Sequence, residues 1–462
     1  MSDLTVESTA RAMASAVARR EISARELTDL HLARIAERNP QLTAIVSLDE
    51  ERARAGAERA DEHLAGGGRL GPLHGLPFAV KDTHAVAGWR TTYGSPIFAD
   101  HVPDADDLIV ERVRRAGVVL LGKTNVPEFA AGSHTFNTVF GTTLNPHDPT
   151  RSAGGSSGGA ACALASGMVP LADGSDMGGS LRNPASFCGV VGLRPSLGRV
   201  PTWPTGNQWE TLSVGGPLAR NVGDLALLLS VLAGPDARTP LALGDPGDAF
   251  APPVAGSLAG LRVAYSVDLG GLLEVDDRVA AISEAAVRRM ARAGAKFFGA
   301  WPDLTLADDT FRTLRAWHFW TCYGPLLGEH PDSFKQSLAD NIRAGEQLTG
   351  ADVARAYAQR TTLVETMREF FTRYDALVLP VSQVPPFPAD QEYPTEINGT
   401  PMASYLDWMR SAYAITVTGC PAISVPAGTT HEGLPVGIQI VAPHGADRRL
   451  LEIAAAFEAL DS

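Results

Sequence analysis

Apolar positions along this chain change period several times, and each change marks an element. From residue 5 to about 65 they recur at helical spacing, as at Leu27, Leu30, Leu32 and Ile35, with Glu and Arg filling the other face. Three helices are predicted there. Glycines at 66–68 and the pair Gly71 and Pro72 then mark the entry to a core, in which residues 76–80 read as a short buried strand. Residues 107–116 follow as an amphipathic helix, with Leu108, Val110 and Val113 on its apolar side, and 118–121 as a strand. The small, apolar residues of 160–170, with few β-branches, predict a helix packed closely against its neighbours.

Further along, 214–220 reads as a turn on its Gly-Gly-Pro, and 222–232 as a strongly apolar helix. Residues 234–260 are rich in Pro, Ala, Gly and Asp with no sustained period, so they read as a long surface connection. Strands are predicted at 261–265, 294–298, 375–380, 421–426 and 436–441, a rigid loop at 384–388, and helices at 276–293, 447–460 and across 306–374. The last of these regions is aromatic-rich, and its rings are expected mostly to pack a helical layer. Alternation of strands and helices predicts an α/β fold. The expected organisation is a helical segment, 1–65, packed on one domain of residues 66–462 or into the contact of a homodimer.

Composition narrows the function. Of 462 residues 45% are hydrophobic and 20% charged, as in ordinary folded domains, and the net charge is −13. An acidic chain without a basic cluster argues against nucleic acid or an anionic membrane as the main partner. No apolar run reaches the roughly 20 residues of a membrane span, and the first residues lack a secretory pattern. Cys162, Cys188, Cys322 and Cys420 are scattered without metal-site or disulfide spacing, so a reduced cytoplasm is expected. No metal or cofactor is called for.

The candidate chemistry lies in two glycine-rich runs, both read as loops, Gly-Gly-Ser-Ser-Gly-Gly at 154–159 and Gly-Ser-Asp-Met-Gly-Gly-Ser-Leu-Arg at 174–182. They deliver Ser156 and Ser180 to places where backbone N–H groups are crowded and little screened by side chains. Acyl transfer needs such a serine, donors for the oxyanion and a base. Lys81 ends the apolar strand 76–80, and desolvation there favours its neutral, proton-accepting form. Residues 117–124 satisfy the letter of a phosphate loop, but 118–121 are themselves the strand and Pro127 stands where its helix should run. None of the eleven histidines has metal-ligand spacing to another.

These runs resemble the amidase signature family of serine hydrolases. The similarity extends through Gly-Lys-Thr-Asn-Val-Pro-Glu-Phe at 122–129, Asn-Pro-His-Asp-Pro at 145–149, Gly-Val-Val-Gly-Leu-Arg-Pro at 189–195 and Gly-Leu-Pro-Val-Gly-Ile-Gln at 433–439. What the resemblance implies is a large twisted mixed sheet covered by helices, and a Ser-Ser-Lys triad. Ser180 would be the nucleophile, Ser156 the bridging serine after a cis Gly155–Ser156 bond, and Lys81 the base. Backbone N–H groups of Met177, Gly178 and Gly179 would form the oxyanion hole; many relatives carry Thr at the position of Met177. The implied substrate is a small or medium amide cleaved with water, with esters and carbamates open to the same acyl-enzyme; the aromatic residues of 300–325 and Trp203, Trp209 and Trp408 offer stacking surfaces for aryl amides. Ser157 and Asp176 are expected to hold loops, and Arg182 to pair with Asp176.

Two other readings share the motifs. The glutaminase component of a tRNA-dependent amidotransferase would work inside a complex, but 198–204 and 211–216 depart from that component. A non-catalytic member of the fold would not need all three triad positions, and here all three are present.

Overall fold

The computed structural model describes residues 4–460. Its centre is an 11-stranded mixed sheet. In spatial order the strands are Ile45–Val46, Val119–Thr124, Pro77–Lys81, Leu171–Asp176, Val214–Ala219, Val191–Arg194, Ala422–Thr429, Pro435–Val441, Ala376–Pro380, Arg262–Tyr265 and Lys296–Gly299. The three strands Val119–Thr124, Pro77–Lys81 and Leu171–Asp176 run parallel. Arg262–Tyr265 is parallel to both its neighbours, and the middle of the sheet is antiparallel. Pro77–Lys81 and Val119–Thr124 are buried at every position, as expected of parallel strands covered on both faces.

The segment before residue 66 forms the three expected helices, Ala10–Ala18, Ala24–Leu42 and Glu50–Ala65, and adds the edge strand Ile45–Val46. Ser23 and Glu26 close a capping box that sets the start of the second helix. Met13, Val17, Leu27 and Ile35 are buried in the main core. The region 306–374 is helical throughout its Ala307–Glu329, Gln336–Glu346 and Gly350–Phe370 elements.

Two expectations need correction. Residues 214–220, read as a turn, form the central strand Val214–Ala219, pairing Gly216 with Gly174 and Pro217 with Asp173. Its glycines answer crowding: a Cβ on Gly216 would meet the Leu193 carbonyl oxygen at 2.5 Å. Likewise the second glycine-rich run is strand as far as Asp176, and the turn begins only at Met177. The phosphate-loop pattern at 117–124 does not form a phosphate loop. Lys123 and Thr124 lie inside a strand, with the Lys123 Nζ donating to the His84 carbonyl at 2.5 Å and to Thr91 Oγ1 at 2.9 Å.

Candidate active site

Lys81 is the last residue of its strand and is wholly buried. Its Nζ lies 2.8 Å from Ser156 Oγ, 2.9 Å from Ser157 Oγ and 3.0 Å from Ser175 Oγ. Among the described residues it forms no ion pair. Desolvation pulls its pKa from 10.5 to about 7, while the charges of Asp173 and Asp176 act the other way. A neutral amine has two N–H donors and one lone pair, so three hydroxyls can satisfy it in full, two accepting and one donating.

The serines come from two elements. Ser156 follows a cis peptide bond from Gly155, and Ser157 precedes the helix Gly158–Ala165, which is buried at every position but the last and has Gly or Ala at six of its eight residues. Ser175 is the next-to-last residue of the strand Leu171–Asp176. Beyond that strand the chain turns through Met177, Gly178, Gly179 and Ser180 into the helix Arg182–Cys188. Only glycine fits at 179: φ is +107°, and a Cβ would lie 2.6 Å from that of Ala412.

Asp176 fastens this turn. Its carboxylate accepts from the N–H of Gly179 at 3.0 Å and of Leu181 at 3.1 Å, and pairs with Arg182 at 2.8 Å and Arg194 at 3.3 Å. Burial alone would raise its pKa, but the two guanidinium groups outweigh burial and hold it well below the usual carboxylate range. The loop-holding role expected of Asp176 and its pairing with Arg182 are therefore present. Ser157 does more than hold a loop: its N–H donates to the Ser180 carbonyl at 3.2 Å and its hydroxyl contacts Lys81.

Ser156 and Ser180 line one cavity of about 260 Å³. Among the described residues the Ser180 hydroxyl makes no hydrogen bond, so it stands free toward that space. Met177 and Gly178 line the cavity too. The N–H of Gly179 is committed to Asp176, whereas those of Met177, Gly178 and Ser180 have no partner among the described residues. Tyr93, Phe129, Trp203, Phe319 and Tyr323 supply aromatic wall. Of the other tryptophans expected to stack on substrate, Trp408 is buried against Phe187 and Trp209 is exposed. A neighbouring cavity of about 330 Å³ shares Thr83, His84, Pro201, His318 and Tyr323 with the first and is bordered by the exposed Cys322.

Three participants were not assigned roles from sequence: Ser175, Asp173 and His84. Asp173 accepts from the Lys81 backbone N–H at 3.0 Å and lies 2.5 Å from His84 Nδ1, and His84 borders the cavity. The available signal was strand alternation, which puts positions 173 and 175 on the same face of their strand, beside the strand that carries Lys81. Other histidines near the motifs are structural; His134 contacts Ser152 and the Ala389 carbonyl, and His147 the Cys188 carbonyl. Among the described residues no group of His, Cys, Asp or Glu could hold a metal, and no helix is long and apolar enough to cross a membrane.

The sequence matches the amidase family over residues 26–451. It is 38% identical over 451 residues to an acylamidase of Rhodococcus erythropolis, covering 97% of this chain and 94% of that protein. It is 37% identical over 464 residues to a glutamyl-tRNA(Gln) amidotransferase subunit of Prochlorococcus marinus (strain MIT 9313), covering 95% and 94%. The crystal structure of a bacterial aryl acylamidase of the amidase signature family superposes with a TM-score of 0.90 at 30% identity, over 98% of this chain and 96% of that one. The chain belongs to the amidase signature family. It is a hydrolase acting on amide C–N bonds.

Proposed function

We propose that this chain is a self-contained amidohydrolase that cleaves small or medium carboxylic amides, aryl amides included, through an acyl-enzyme on Ser180. Esters and carbamates fall within the same chemistry. Ser180 Oγ attacks the carbonyl carbon while its proton passes to Ser156, whose own proton passes to the neutral Lys81. The relay then runs backward to protonate the leaving nitrogen, and water repeats the cycle to release the acid. The observation that carries this reading is the 2.8 Å contact between Ser156 Oγ and a wholly buried Lys81 Nζ without an ion-pair partner among the described residues.

The oxyanion would be held by main-chain N–H groups of the turn at 177–180, each worth about 3 kcal/mol in the transition state. Met177, Gly178 and Ser180 have theirs uncommitted among the described residues; Gly179, proposed from the family pattern, would have to release Asp176 first. Four free thiols fit a reducing, cytoplasmic setting. The test is hydrolysis of p-nitroanilides, aliphatic amides, aryl carbamates and glutamine by the purified chain and by Ser180→Ala. Turnover lost in the variant supports the proposal; equal turnover by both proteins refutes it.

A second reading, the glutaminase component of a tRNA-dependent amidotransferase, is favoured by the 37% identity to the Prochlorococcus protein. It predicts glutamine turnover that depends on co-purifying partner proteins, whereas the leading proposal predicts amide turnover by the chain alone.

A further inference from the structure

Five arginines are buried among the described residues: Arg182, Arg194, Arg199, Arg315 and Arg360. The first three pair with the buried carboxylates of Asp176 or Asp447. Arg360 has no carboxylate but donates to three oxygens, the Val417 carbonyl and both the hydroxyl and carbonyl of Thr211. Arg315 differs. It is 4% exposed, forms no ion pair among the described residues, and its hydrogen bond goes to the neutral side-chain oxygen of Asn341. Asn341 is itself oriented by donating to the Ser337 carbonyl at 3.3 Å.

Arg315 also lines the cavity that holds Ser156 and Ser180. Its guanidinium lies over the Phe319 ring at 4.1 Å and near the Tyr405 ring at 5.4 Å, which fixes the plane of the group. The other charged or titratable groups on the cavity wall are His84, Asp107, His318 and the phenols of Tyr93 and Tyr323. His84 is taken up by Asp173, and Asp107 accepts from the Ala85 N–H at 3.0 Å. His318 lies one helical turn from Arg315, within Ala307–Glu329. Arg315 is thus a permanent cation in a substrate cavity with its donor fork under-used, and a planar fork matches a carboxylate in two parallel bonds.

We propose that Arg315 reads a carboxylate on the substrate, so that the preferred amide carries a negative charge away from the scissile bond. This rests on the amide-hydrolase proposal and names its substrate class. The aromatic wall takes the apolar body of such a molecule while the guanidinium takes its acidic end. Burying a charge without a partner is unfavourable, and a substrate anion would complete the pair.

Binding to the inert Ser180→Ala protein tests this without turnover. Two matched pairs of ligands are compared by calorimetry: glutaryl anilide with pentanoyl anilide, and 4-butyramidobenzoate with butyranilide. In at least one pair the charged member is expected to bind ten times tighter or more, and the pair shows which side of the amide bears the charge. Adding Arg315→Met should bring that ratio to within twofold, and Arg315→Lys should lower it severalfold. No preference in Ser180→Ala, no binding of either pair, or an unchanged preference in Arg315→Met would overturn the proposal. If Arg315→Met does not fold, the ratio in Arg315→Lys decides, an unchanged ratio counting against it. Hydrolysis of the neutral anilides by the unaltered enzyme tests the amide-hydrolase reading separately.

Discussion

Lys81 and Ser156 are 75 positions apart in sequence and joined by a 2.8 Å hydrogen bond between Nζ and Oγ in a site closed to water around the amine. The sheet sets one partner and the glycine-rich loop the other. That pairing makes the proton relay physically reasonable, because a desolvated lysine is a base near neutral pH and a hydroxyl bonded to it can pass a proton inward.

The pH profile follows from the lysine. With its pKa lowered to about 7, Lys81 is mostly protonated below that value and, on the proposed mechanism, would then be unable to accept the proton. We expect kcat/KM to rise with a slope of one toward pH 7 and to level off above it, so that one further unit down costs about tenfold. Steady-state kinetics between pH 5.5 and 9 check this; a rate still climbing with a slope of one at pH 9 would mean that the pKa of Lys81 is not lowered to about 7.

Replacing Ser156 by Ala should lower kcat by about 10²–10⁴-fold while leaving the chain folded, since the proposed relay would lose its middle member but Lys81 keeps Ser157 and Ser175. Rate measurements on the purified variant, with circular dichroism as the folding control, decide the matter. A loss of less than tenfold would place Ser156 outside the relay.

Stability should also report Lys81. Between pH 7 and 10.5 the unfolded chain holds a proton at Lys81 that the folded chain has lost, so folding strengthens as pH rises across that window. Below pH 7 both states hold it and the burial penalty is felt in full. Lys81→Met has no such proton. Wild type should therefore gain on the variant by about 1.4 kcal/mol per pH unit within the window. Urea unfolding of both proteins at pH 7, 8 and 9 measures it, and a constant difference would contradict the depressed pKa.

Asp176→Asn should cost about 3–5 kcal/mol, because Arg182 and Arg194 would lose their buried counter-charge. The carboxyl's pKa is depressed on folding, so its contribution is complete above the unfolded value near 3.9 and fades as pH falls below it. The gap between wild type and variant should be wide at pH 7 and narrow below pH 4. Denaturant midpoints at the two pH values show whether it narrows.

Much of this was legible in the sequence, for reasons that particular residues make plain. The helices before residue 66 and the strand ending at Lys81 follow from apolar period and from a charged residue closing an apolar run. The roles of Ser156 and Ser180 came from the family pattern. Spacing alone places them only in glycine-rich turns. What stayed hidden depends on tertiary proximity. Val214–Ala219 carries Gly-Gly-Pro, a turn signature, yet forms a central strand because Leu181, Leu193 and Pro195 leave no room for side chains at Gly216. Ser175 was visible as a residue, but its contact with Lys81, 94 positions away, needs the register of two strands. Arg315 sits on an aromatic helix face that reads as ordinary packing, and its lack of a carboxylate is apparent only when its neighbours are in place.

The central claim is that Ser180 is the nucleophile. It is tested most directly by treating the purified chain with a fluorophosphonate, which forms a stable bond to an activated serine, and locating the adduct by peptide mass spectrometry. One adduct is expected, on Ser180, formed faster as pH rises through about 7 and absent from Ser180→Ala. An adduct on another serine, or undiminished labelling of Ser180→Ala, would contradict it.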